Sequence, residues 1–262
     1  MLDPWLRFSE KNPNPYDFSV VEGSERQGCD EPIIEALGGA LYECMGDPAF
    51  VQWLASTCGM DVARQFVAGH VVPTTVTTAV GDFGEVISGL ILEEVEHLTV
   101  PIRKLRYRET AAGPMRLTDT FAVRLGDEDG EPSIEAVCFC SAKTATTPPP
   151  ADIAVQGYRQ LEQDNEKDRP EILSFVMMNL YRENNLPLAA LMGDLLARRD
   201  RSTPRHYRLS LVMDSGVWRE VFLEQLQDSD PSLPEFAVYM VAVDHLRQLI
   251  DRCYEAAKAA AA

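Results

Sequence analysis

The stretch SIEAVCFCSAK, residues 133–143, constrains this chain more than any other. Successive side chains of a strand point to opposite faces of its sheet. Here one face carries Ile134, Ala136, Cys138, Cys140 and Ala142. The other carries Glu135, Val137, Phe139, Ser141 and Lys143. A strand with apolar or small residues on both faces belongs inside a sheet that is covered on both sides. Yet this one ends on a lysine, and a buried ammonium needs a carboxylate or another anion beside it.

The neighbouring pattern supplies the cover. From Asp82 onward, Phe83, Val86, Ile87, Leu90, Ile91 and Leu98 form an apolar helical stripe. Gly84, Ser88 and Gly89 leave an adjacent face open to close approach. Strands are predicted over 102–110 (IRKLRYRET), 117–126 (LTDTFAVRLG) and 133–143, the last two joined through Asp-Gly, a strong hairpin signal. Before this block, residues 1–30 are rich in Pro, Asn, Ser and Glu and read as an irregular lead-in. Helices are predicted over 31–58, capped by Asp30, and over 60–69, with VVPTTVTTAV as a loop into the next helix. After the prolines at 148–150, helices are predicted over 151–165, 171–184 and 187–199. A strand at 206–214, a helix at 217–228, a strand at 235–243 and a helix from Asp244 close the chain. The class is α/β (α+β), a mixed central sheet flanked by helices. The expected organisation is one domain over 1–262: helical lead-in 1–80, αβββ core 81–147, helical insertion 148–200 and C-terminal βαβα 201–262.

The charge balance narrows the function. In 262 residues, 24 Lys and Arg stand against 41 Asp and Glu, a net charge of −17. An autonomous basic nucleic-acid binder is excluded. With 45% hydrophobic residues, so is a disordered acidic chain. The acidity is uneven, however. Residues 99–124 and 198–208 each carry +4, and Arg103, Lys104, Arg106, Arg108 and Arg116 lie in the first window. They are either solvated edges or local anion-binding patches on an acidic body. No apolar run approaches the roughly 20 residues of a membrane span. The N-terminus does not read as a secretory signal. Six scattered cysteines without a CxxC read as reduced thiols, so a cytoplasmic protein is expected, and a zinc site is not.

A carboxylate on the helix (Glu85), an aspartate at the first hairpin strand (Asp119) and a lysine ending the second (Lys143) form a group with a known chemistry. Carboxylates hold Mg²⁺ through oxygen. The metal activates water and polarises a phosphate, and the lysine neutralises developing charge. The segments GDFGEVISGLILEE, KLRYRE, LTDTFAV and EAVCFCSAKT resemble the restriction-endonuclease-like PD-(D/E)XK nuclease superfamily. Within it, their order resembles the nuclease subunit of the Hachiman anti-phage defence family. The resemblance implies catalytic positions at Glu85, Asp119, Ser141 and Lys143, with Mg²⁺ or Mn²⁺ on Asp119 and Glu85. It implies DNA as substrate, its backbone on the basic window, and a larger partner such as a helicase. Ser141 departs from the pattern, because it stands where the motif's second acid belongs. Glu135 shares its strand face but lies about 20 Å away at ~3.3 Å per residue, so Glu109 or Glu85 is the better substitute. The alternative is a catalytically degenerate nuclease fold that serves as a regulatory or protein-interaction subunit.

Overall fold

The computed structural model describes residues 1–26, 28–108, 118–128, 130–165, 169–197 and 203–260. Its frame is one six-stranded mixed sheet in the order β1-β2-β6-β5-β4-β3. The inner strands are β2 (Ser19–Glu25), β6 (Phe236–Val243), β5 (Arg205–Asp214) and β4 (Glu131–Ala145), and they run parallel. The edges β1 (Leu6–Glu10) and β3 (Thr120–Glu128) are antiparallel to their neighbours. The strand that reads as mostly buried on both faces, β4, lies beside the edge strand β3, and its middle stretch Ala136–Ser141 is buried on both faces.

Helices pack on each face. On one side lie α1 (Glu31–Met45), α2 (Pro48–Cys58), α3 (Met60–Phe66), α4 (Val76–Glu94) and α9 (Leu246–Ala260). They share a core with Val212, Tyr239, Val241 and Val243 of the sheet. On the other lie α5 (Ile153–Gln163), α6 (Arg169–Arg182), α7 (Leu186–Ala197) and α8 (Val221–Asp228), packed on Val137, Phe139, Tyr207, Leu209 and Leu211. A small third cluster, Leu92, Leu98, Ala122, Cys138 and Cys140, closes the sheet near β3. Among the described residues, no helix is long and apolar enough to cross a membrane.

Five expectations need correction. The lead-in is not irregular: β1 and β2 pair within it, and β2 docks on β6. The 31–58 helix is two helices, because Asp47 caps a new start with Pro48 in its first turn. The α4 helix begins at Val76 under a Thr75 cap, so Glu85 sits mid-helix and not at its start. The segment predicted as a strand at 102–110 is instead a 3₁₀ turn over Lys104–Tyr107, with only Leu105 of the turn buried. Finally, β4 carries a bulge: Arg124 pairs Ala136, but Leu125 pairs Ile134. The extra residue is Glu135, and Ile134 therefore joins the Val137–Phe139 face.

Candidate active site

The β3–β4 hairpin places Asp119 beside Ser141. Thr120 pairs Cys140, so Asp119 lies just outside the ladder opposite the next residue of β4. Its Oδ2 accepts the Ala142 backbone N–H at 2.8 Å and lies 3.3 Å from the Ser141 hydroxyl. One alternation further along the same face, Lys143 Nζ donates to Gln160 Oε1 of α5 at 2.8 Å. Gln160 also lies 3.3 Å from the Ser141 hydroxyl, so one amide ties the serine to the lysine. The helix can come this close because Gly157 faces the same strands. A Cβ there would stand 3.2 Å from Lys143 Cγ and 2.4 Å from Leu209.

Glu85 enters from the opposite layer. At Gly84, an added Cβ would stand 1.7 Å from Thr144 Oγ1, so only glycine lets α4 lie this close to β4. Glu85 does not touch Asp119 directly. Lys104 joins them: its Nζ is 3.3 Å from Glu85 Oε2 and 3.8 Å from Asp119 Oδ1, and it donates to the Thr118 carbonyl at 3.1 Å. The Lys104 side chain is 10% exposed. Glu85 Oε2 is buried, and the Lys104 ammonium is the cation that faces it. Burial pushes the Glu85 carboxyl up to about 7. Lys104 opposes that rise, and the charges of Asp119 and Asp82 add to it. A carboxyl with that pKa exchanges protons near neutral pH, as an acid–base group must.

Four cations of the first basic window, Arg103, Lys104, Arg106 and Arg108, are paired internally. Arg103 makes two bonds to the Glu93 carboxylate at 2.8 and 2.9 Å. Arg106 binds Glu183 at 3.0 Å and the Glu43 carbonyl at 2.7 Å. Arg108 clamps Asp82 through both nitrogens at 2.6 and 2.8 Å. The segment that read as a strand is thus a belt of cations drawn inward by carboxylates of α4 and the α6 end. Arg116 and Glu109 lie outside the described residues. In the second basic window, Arg208 is buried against Glu96 and Arg205 binds Asn165 at 2.6 Å.

Sequence reasoning missed two site residues. Gln160 carried no signal beyond its place on an amphipathic helix. By sequence Lys104 reads as a DNA-backbone contact, and nothing in its spacing separates an inward lysine from an outward one.

The family is decided by a match that extends well beyond this cluster. The HamA family model covers residues 33–257. The chain belongs to the HamA family. No curated protein matches it. The HamA family is that of a Hachiman anti-phage defence subunit, part of a multi-component system.

A divalent ion does not fit this HamA-family site as it stands. Mg²⁺ demands near-octahedral oxygen ligands at about 2.1 Å. Asp119 is the one carboxylate at the hairpin end, and Ser141 offers a hydroxyl in place of a second carboxylate. The gap between Glu85 and Asp119 holds an ammonium. Among the described residues, no group of three or more His, Cys, Asp or Glu side chains is arranged to hold a metal ion.

Proposed function

We propose that this chain is the nuclease-fold subunit of a Hachiman defence system, acting on DNA phosphodiesters at the Glu85–Asp119–Ser141–Lys143 cluster. The observation that carries this reading is the convergence of Asp119, Ser141 and Lys143 at the open end of the β3–β4 hairpin, with Glu85 brought alongside by Lys104. These are charged groups gathered at costly, partly buried positions, and such clusters concentrate at functional sites. The arrangement agrees with the PD-(D/E)XK resemblance at three of its four positions.

The residues divide the work. Lys143 keeps two N–H donors beyond the one given to Gln160, and these can meet a phosphate oxygen and the charge that develops on it. Gln160 fixes the lysine's direction. Glu85, poised near neutrality, can take a proton from an attacking water. Asp119 holds the hairpin end in register through Ala142 and the Ser141 hydroxyl.

DNA delivery falls to a partner, and a helicase suits the task. With a net charge of −17 and Arg103, Lys104, Arg106 and Arg108 paired internally, few cations of the first basic window remain to displace counterions from DNA. The chain alone is therefore a weak DNA binder.

The degenerate reading also has a specific observation behind it. Ser141 replaces the motif acid, and Lys104 fills the space between the remaining carboxylates. The two readings separate in one experiment: plasmid cleavage by the chain together with its helicase partner, wild type against Asp119→Asn and Lys143→Met. Loss of at least about a hundredfold in both variants supports catalysis at this site. Equal cleavage by all three forms, or none by the wild type, favours the degenerate subunit.

A further inference from the structure

We propose that Lys104 is the resident cation of this site. It occupies the position that a divalent ion would need between Glu85 and Asp119, and metal and ammonium compete for that position. The inference rests on the reading of this cluster as a nuclease-type site, but concerns what fills it.

Three observations carry it. The first is position. Lys104 Nζ is 3.3 Å from one carboxylate and 3.8 Å from the other, and it is the group that links them. The second is burial. The Lys104, Glu85 and Asp119 side chains are 10, 20 and 16% exposed, so little water screens the cluster. An ammonium held in such a place without a carboxylate would be costly, and so would two carboxylates without a cation. The third is Glu85 Oε2 itself, buried and facing the Lys104 ammonium at 3.3 Å. Lys104 neutralises the pair, and a carboxylate oxygen so placed is the kind of ligand a divalent cation takes.

The lysine is held by short local structure. It opens the 3₁₀ turn Lys104–Tyr107 and donates to the Thr118 carbonyl at 3.1 Å. The position is therefore a cation site with an intramolecular occupant. Metal enters only where Lys104 leaves.

Mn²⁺ titration tests this directly, read by electron paramagnetic resonance and by thermal shift on the full chain. Wild type should bind Mn²⁺ weakly. Lys104→Met should bind at least about tenfold more tightly and gain thermal stability on adding the ion, since one opposing charge has gone. Adding Asp119→Asn to Lys104→Met should abolish that gain. Lys104→Gln, which keeps a donor for Thr118, serves the same test if the methionine variant folds poorly. Equal Mn²⁺ affinity in wild type and the Lys104 variants, tight or absent, overturns the proposal. Tight Mn²⁺ binding by wild type that Asp119→Asn removes overturns it without any Lys104 variant. Both readouts are independent of cleavage, so absence of nuclease activity would leave the Mn²⁺ result standing.

Discussion

The Arg108–Asp82 pair separates a structural role for the basic window from a DNA-binding one. The two side chains are 7 and 6% exposed and meet through two bonds of 2.6 and 2.8 Å. Replacing Arg108 by Met keeps much of the aliphatic volume but leaves Asp82 buried without its guanidinium. Breaking a buried pair from one side costs about 3–5 kcal/mol. For a chain of this size each kcal/mol lowers the melting temperature by roughly 2–4 °C, so a fall of about 6–20 °C is expected. Removing both charges, as Arg108→Met with Asp82→Leu, should recover most of that loss, because an apolar pair of similar volume replaces a buried ion pair at little cost. Urea denaturation of the wild type, the two single variants and the double variant measures the coupling directly. If Arg108 instead serves DNA backbone, stability would stay within about 0.5 kcal/mol of wild type. DNA affinity of the partnered complex would then fall, with a shallower salt dependence. That result would refute the assignment of this window to the fold.

Two further variants probe the site's packing and charge. Burial raises the Glu85 carboxyl from 4.5 to about 7, so the folded chain keeps a proton that the unfolded chain has lost over that interval. Stability therefore falls as pH rises through it, by roughly 3 kcal/mol in total. Glu85→Gln should melt higher than wild type at about pH 8 and alike at about pH 4, and a parallel pH dependence in the two proteins would contradict the burial argument. Gly84→Ala puts a Cβ 1.7 Å from Thr144 Oγ1 and 3.0 Å from its Cβ. The overpacking cost of about 1–3 kcal/mol outweighs the ~1 kcal/mol gained in helix propensity. Adding Thr144→Ala, which removes a buried hydroxyl without a hydrogen-bond partner, should restore much of the loss by thermal denaturation. A Gly84→Ala protein more stable than wild type would show that α4 and β4 are not in close contact.

The parts of the fold that were legible are those where periodicity and burial agree. Strand β4 announced itself by apolar residues on both faces, and the hairpin before it by Asp-Gly, with Gly130 at a φ of +87°. The bulge at Glu135 was not legible, since an extra residue leaves no mark in a two-residue period. The β1–β2 hairpin carries little local signal, because β2 fully buries only Val20 and Gly23 and its Ser19, Glu22, Ser24 and Glu25 break any apolar run. Its place is fixed by pairing with β6, a partner more than two hundred residues away in the chain. The 102–110 segment alternates like a strand, but its cations follow carboxylates on other elements, which local pattern cannot register. The same limit governed the site. Asp119, Ser141 and Lys143 share one hairpin and could be placed by register. The inward turn of Lys104 and the reach of Gln160 depend on how α4 and α5 dock.

Chemistry on DNA at the proposed Asp119–Lys143 cluster and a relic site in an interaction subunit predict different outcomes in cells. The measurement is phage protection, with the complete defence system carrying either the wild-type chain or the Asp119→Asn, Lys143→Met double variant at matched abundance. Loss of protection by the double variant, with the partner complex still assembled, is the predicted result. Full protection at wild-type abundance would contradict it.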